Sequence, residues 1–179
     1  MVIAIIAILL GLTLYAVSGL MNKAARSRAS GEIQAMGTAL EGYKTDNGIY
    51  PAASFLTGPP SPGTYPSDPA VANVTAYQNS SQALYLALSG QASYNTAPAA
   101  GVKSYMAFKI NQIGNPTAAS SYIKDPWNNS YGYSTGDANI PPVAQVLYPN
   151  NGTGFFDLWS TAGKTVGGTA TNTWLSNWQ

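Results

Sequence analysis

The stretch "VIAIIAILLGLTLYAVSGLM", residues 2–21, contains no charged residue, and eleven of its twenty positions are Val, Ile or Leu. At roughly −0.3 to −0.6 kcal/mol per such residue near a bilayer centre, the run favours membrane insertion by about 3 to 6 kcal/mol. Thr13, Ser18 and the glycines at 11 and 19 offset only part of that. Coiled as a helix, the run spans about 30 Å, one hydrocarbon core. A secretory signal peptide is the weaker reading, because the run is too long and no basic region precedes it. Val2, Ile3, Ile5, Ile6, Leu9, Leu10, Gly11, Leu14 and Gly19 are expected to face lipid or a neighbouring helix. Small residues at Ala4, Ala7, Gly11, Ala16 and Gly19 suit close helix approach, though they are equally the ordinary composition of a membrane helix.

The helix is expected to continue. "NKAARSRASGEIQAMGTALEGYKTDNG" follows with no Pro until Pro51. Ile33, Met36, Leu40 and Tyr43 recur at spacings of three and four, so they share one helix face, flanked by Ala35 and Ala39. Lys23, Arg26, Arg28, Glu32, Glu41 and Lys44 fall largely elsewhere. Asn47-Gly48 is a stop, with Gly48 free to turn left-handed. The prediction is a single helix of about 45 residues, near 65 Å long. Residues 1–22 form its apolar half and residues 23–46 its amphipathic half, whose stripe the rest of the chain must cover. Because Lys23, Arg26 and Arg28 follow the apolar run, the positive-inside rule puts the remainder in the cytoplasm unless basic residues lie upstream.

Residues 47–179 read as a globular domain. Pro59, Pro60, Pro62, Pro66 and Pro69 make residues 47–74 a long surface loop, part of a Pro/Ser/Ala-rich region over 52–100. That region is interrupted by a short helix at 79–90, capped by Ser80 or Ser81 and ended by Gly90. Residues 103–160 should hold short antiparallel strands at 103–110, 131–134, 143–148 and 154–160, between turn residues. Residues 161–179 read as a C-terminal loop anchored by Trp174 and Trp178. The expected class is α+β: one long N-terminal helix packed on a small antiparallel sheet.

"DPWNNSYGY", residues 125–133, gathers a carboxylate, aromatics and amides as a ligand site would. Each residue also has a structural role. Pro126 biases Asp125 to extended geometry, and the Asp125 carboxylate can cap the turn. Trp127 is large enough to fill the space between sheet and helix, and Tyr131 and Tyr133 point to one strand face. The stretch therefore reads as the start of the sheet.

Composition narrows the chemistry. With no His and no Cys, the chain lacks the usual general base, the commonest transition-metal ligand and any disulfide. Only 8 % of residues are charged, and the net charge of +1 makes no case for nucleic acid. An enzyme would have to rest on Asp125 and Asp157, each in a motif with a structural explanation.

Several segments share one family pattern. "VIAIIAILLGLTLYAVSGLMNKAARSRA" resembles the N-terminal helix of type IV pilin-like proteins. "ALEGYKTDNGIYP" resembles the helix end that precedes the globular domain in the major, G-type pseudopilin of type II secretion systems. "YIKDPWNNSYGYSTGD", "FDLWSTAGK", Gly167-Gly168 and the closing Asn177-Trp178 continue that pattern in order, so the match covers both ends and roughly half of the chain. The resemblance implies a non-enzymatic, single-pass subunit of a bacterial inner membrane, with a periplasmic domain and a methylated N-terminus. Such subunits are extracted by an assembly machinery into a homo-oligomeric helical filament, a secretion pseudopilus or a pilus. A membrane-anchored ligand-binding module, such as a minor pilin or adhesin, is the alternative.

Three departures stand beside the resemblance. The family's mature chain begins after a Gly cleavage site, with Phe first and Glu fifth, and Met1 falls a few residues beyond that Glu. A misassigned start, a trimmed chain and a missing processing signal all stay open. Residues 52–122 exceed the usual stretch before Asp-Pro-Trp. The family's C-terminal loop binds Ca²⁺ through aspartates, and "AGKTVGGTATNTWLSNW" has none, so no cofactor is expected.

Overall fold

Val2 to Asn47 form one unbroken α-helix, α1, of 46 residues, about 69 Å long. It ends where Gly48 takes a left-handed φ of 81° and its N–H donates to the Lys44 carbonyl at 2.7 Å. The computed structural model describes residues 2–51, 71–75, 77–135, 154–169 and 173–178. Before Gly19, side chains on α1 are described only at Ile3 and Ile6. The strand expected at 143–148, and most of the Pro-rich stretch, lie outside the described residues.

The rest of the described chain holds a second helix and short strands. These are β1 (Val71–Asn73), α2 (Tyr77–Ser89), a 3-10 turn (Ile110–Gln112), β2 (Ile113–Gly114) and β3 (Tyr122–Ile123). Then come β4 (Gly132–Thr135), β5 (Phe156–Ser160), β6 (Val166–Thr169) and β7 (Leu175–Ser176). All pairings are antiparallel: β1 with β6, β2 with β3, and β4–β5–β7. The class is therefore α+β with a long N-terminal helix, as expected, but the strands among the described residues form three small sheets rather than one.

Four local expectations need correction. Residues 71–73, read as loop, form β1 and pair with β6. The segment 161–179, read as a loop, contains β6 and β7. Residues 103–110, read as a strand, form none, and Ile110 opens the 3-10 turn. Their backbone donors go elsewhere: the N–H groups of Tyr105 and Met106 donate to the Leu88 carbonyl at 2.8 and 3.0 Å, satisfying an orphan acceptor at the end of α2. Finally, α2 begins before Ser80 and Ser81, so neither caps it; both are fully buried inside it.

The core follows the predicted stripe. Ile33, Met36 and Leu40 of α1 are buried in one cluster with Leu84 and Leu88 of α2, Tyr131, Tyr133 and Leu158. Tyr43 lies half-buried against it. Full burial of a side chain such as Leu40 stabilises by about 1.5–3 kcal/mol. A second cluster holds Ala72, Tyr77, Trp159 and Trp174, with Trp178 packed on it. Here β5 is the shared wall, since Leu158 enters the first cluster and Trp159 the second, as strand alternation requires.

Candidate functional site

Among its described side chains, α1 is covered by the rest of the chain only in part. Leu20 and Met21 are 65 % and 69 % exposed, and Ile3 is 83 % exposed, whereas Leu40 is fully buried. Cover begins near Arg26, whose Nη1 donates to the Thr173 carbonyl at 2.6 Å and ties α1 to the C-terminal segment. The expected lipid- or helix-facing residues divide accordingly. Ile3, Ile6 and Gly19 are exposed, while the environments of Val2, Ile5, Leu9, Leu10, Gly11 and Leu14 lie outside the described set. Among the residues whose side chains are described, no helix is long and apolar enough to cross a membrane.

The covered half is fastened by a carboxylate as well as by apolar packing. Glu32 Oε1 accepts from Arg28 Nε at 2.8 Å and Gln112 Nε2 at 3.0 Å, and its Oε2 accepts from Tyr131 Oη at 2.6 Å. Three elements thus meet at one side chain. Burial pushes the Tyr131 phenol far above its ordinary pKa, and the Glu32 charge adds to the effect. Glu32 was expected on the polar face. It stands one position before Ile33, on the border of the stripe, and that position is the signal the sequence carried.

In 125–133 the side-chain hydrogen bonds of Asp125, Tyr131 and Tyr133 all go to partners within the fold. Asp125 Oδ1 accepts the N–H groups of Trp127 and Asn129, both at 2.9 Å, and its Oδ2 accepts from Ser160 Oγ at 2.6 Å. Pro126 precedes the left-handed Asn128, at φ 66°. Tyr131 and Tyr133 are fully buried in the main cluster, and Tyr133 Oη donates to the Pro51 carbonyl at 2.7 Å. Trp127 departs from expectation. It is half-buried and sits against the Gly163 turn, where a Cβ would lie 3.2 Å from its ring, rather than between sheet and helix. The space it was expected to fill is taken by tyrosines, which also offer hydroxyls to buried acceptors.

A groove of about 700 Å³ lies between the end of α1, α2 and the 101–105 segment. Ala83, Leu86 and Ala87 form its floor, and Tyr43 and Tyr105 stand beside them, ring centroids 5.3 Å apart. Its rim is polar but internally engaged. Asp46 pairs with Lys103 and accepts from Tyr105 Oη at 3.0 Å, and those contacts hold its carboxyl below the ordinary range, with the Lys103 bond the largest cause. Among the described residues no group of three His, Cys, Asp or Glu side chains is placed to hold a metal ion. No protein-family model matches the chain, and no curated protein matches it either.

Proposed function

We propose that this chain is a structural subunit of a type IV pilin-like filament, either a secretion pseudopilus or a pilus. In this reading residues 2–21 are held in a bilayer before assembly and are buried among copies of themselves afterwards. One observation carries it: α1 runs 46 residues, yet apolar Leu20 and Met21 stand uncovered while Leu40 is sealed. Apolar helix residues left open by their own domain suit lipid or other helices as partners. The resemblance of "DNGIYP", "DPWNNSYGY" and "FDLWS", in that order behind the helix, names the kind of assembly. Co-expression with a pilus or secretion assembly machinery, followed by electron microscopy without detergent, tests the proposal. Filaments containing the chain support it, and monomers alone count against it.

The groove beside Tyr43 and Tyr105 favours a second reading, a membrane-anchored module that binds a ligand there. Measurable affinity of the whole chain for a glycan array, lost on Tyr105→Ala, would support that reading instead.

A further inference from the structure

Residues 161–179 hold a single charged side chain, Lys164, and it is a cation. In the family that the sequence resembles, aspartates close this loop around calcium. Calcium takes about six to eight oxygens, usually with carboxylates among them. The acids of the neighbouring strands and turn are spent inside the fold. Asp125 accepts two backbone N–H groups and the Ser160 hydroxyl. Asp157 is fully buried and has a partner of its own. Lys164 is exposed within the loop, where its charge would repel a divalent cation. This donor set does not fit calcium.

Protein groups fasten the segment instead. Its far end is held by β5 and α1. The Asn177 side chain donates to the Phe156 carbonyl at 3.0 Å and accepts the Leu158 N–H at 2.8 Å, which extends the pairing of β7 with β5. Arg26 holds the Thr173 carbonyl at 2.6 Å. The near end depends on β1, which is the one strand paired with β6 among the described residues. Val71 stands opposite Thr169 and Asn73 opposite Val166, and the Val74 N–H donates to the Thr165 carbonyl at 3.3 Å. Between them Ala72 is fully buried, in one cluster with Tyr77, Trp159 and Trp174. One short strand therefore supplies both backbone partners for β6 and a wall for the tryptophan that anchors the segment.

β1 lies within residues 52–122, the stretch that exceeds the usual length in the family resembled. The chain thus has extra sequence where the fastening is supplied, and no acids where calcium would be held. We infer that β1 does here what calcium does in that family: it fixes the loop from Lys164 to Thr169, backs Trp174, and makes the C-terminal segment independent of metal. The inference goes beyond the proposed assembly and holds for either reading of function.

Two measurements on the whole chain test it. In the first, the parent chain is melted in EGTA and in about 5 mM calcium chloride, above the range of weak extracellular calcium sites. An ion that binds only the native state raises the melting temperature, so equal temperatures are expected. A rise with calcium overturns the metal independence, and would point to oxygens from Asp68 or Asp137, which lie outside the described residues. In the second, hydrogen exchange read by mass spectrometry in EGTA compares the parent chain with Ala72→Pro and Val74→Pro. Ala72→Pro breaks β1. Val74→Pro is milder and deletes the N–H given to Thr165. Exchange over 164–169 and around Trp174 should quicken by about ten-fold or more, while β4 and α2 keep their protection. Unchanged protection of the segment in both variants overturns β1 as its fastener. Protection lost equally from β4 and α2 marks general weakening and also overturns it, with Val74→Pro deciding where Ala72→Pro does not fold. Protection restored to Val74→Pro by calcium overturns it as well.

Discussion

The Ser81 hydroxyl donates to the Ile123 carbonyl at 2.7 Å and accepts the Ile123 N–H at 3.0 Å, so a helix side chain closes the edge of β3. β3 pairs with β2 on its other side through Ile123 and Ile113. Both Ser81 and Ile123 are buried, so water cannot readily replace the contact. In Ser81→Ala the carbonyl keeps a bond from the Tyr131 N–H at 3.2 Å, but the Ile123 N–H is orphaned. A buried donor left unpaired costs about 1–3 kcal/mol. Urea denaturation should show that loss as a lower midpoint at unchanged slope; an unmoved midpoint would remove the serine from the account of how α2 docks.

Tyr131→Phe tests the Glu32 hub. The substitution preserves the ring in the core and deletes only the hydroxyl that donates to Glu32 at 2.6 Å. A hydrogen bond to a charged group contributes about 1.5–3 kcal/mol. The loss should shrink in a Glu32→Gln background, because the hydroxyl then faces a neutral amide instead of a carboxylate. Four denaturation curves make the cycle, and additive losses would show that the hydroxyl acts independently of Glu32.

Gly132→Ala should be among the most damaging single-carbon changes in the chain. Gly132 pairs with Trp159 across β4 and β5, and the buried Trp159 ring lies over it. A Cβ there would sit 2.0 Å from ring carbon Cε2, which no rotation of the methyl relieves. Overpacking costs about 1–3 kcal/mol and occasionally more. Near-ultraviolet circular dichroism of the tryptophans should report the disturbance, and an unchanged spectrum and melting temperature would contradict the packing described.

These residues show what was readable beforehand. The long helix, its stop at Gly48 and the stripe at Ile33, Met36 and Leu40 follow from periodicity, a local property of one segment. The Asp125 turn was readable for the same reason, since its carboxylate reaches N–H groups two and four residues away. Ser81, Glu32 and Gly132 were not, because each acts through a partner dozens of positions distant: 42 residues for Ser81 and 99 for Glu32 with Tyr131. The segment at 103–110 failed by the same rule. Its composition suits a strand, but its donors are claimed by the end of α2, which nothing within the segment reveals.

Asp125 gives a pH dependence of unusual sign. Burial raises its pKa above the ordinary carboxylate value, and the bonds from Ser160, Asn129 and Trp127 only partly counter that. A raised folded pKa means that the native state binds the proton more tightly than the unfolded chain. The contribution is fully present below the unfolded pKa and is lost as pH rises through the folded one. Mild acid should therefore favour this group's part of the fold, unlike the usual salt-bridged carboxylate. Asp125→Asn keeps an acceptor for the two backbone N–H groups and should flatten that slope at modest cost. Asp125→Ala orphans them and should cost about 1–3 kcal/mol. Melting temperatures across mildly acidic pH decide it, and identical slopes for the parent chain and Asp125→Asn would refute the assignment.

The last prediction separates folding from assembly along the one helix. Leu20 is 65 % exposed and Leu40 is fully buried, although both are leucines on α1 and 20 positions apart. Leu40→Ala removes a side chain from the main cluster and should cost about 2–5 kcal/mol, with assembly failing only because the domain fails. Leu20 is mostly exposed, so the denaturation midpoint of Leu20→Asp should lie close to that of the parent chain. In the proposed reading a charge there meets lipid before assembly and neighbouring helices after it, and one at a helix centre opposes insertion by about 2.5–3.5 kcal/mol, less near the end. Membrane fractionation and filament yield should therefore fall in Leu20→Asp while domain stability holds. If filaments or membrane association survive undiminished, the exposed surface at Leu20 and Met21 is not part of the assembling surface, and the proposed function loses its central support.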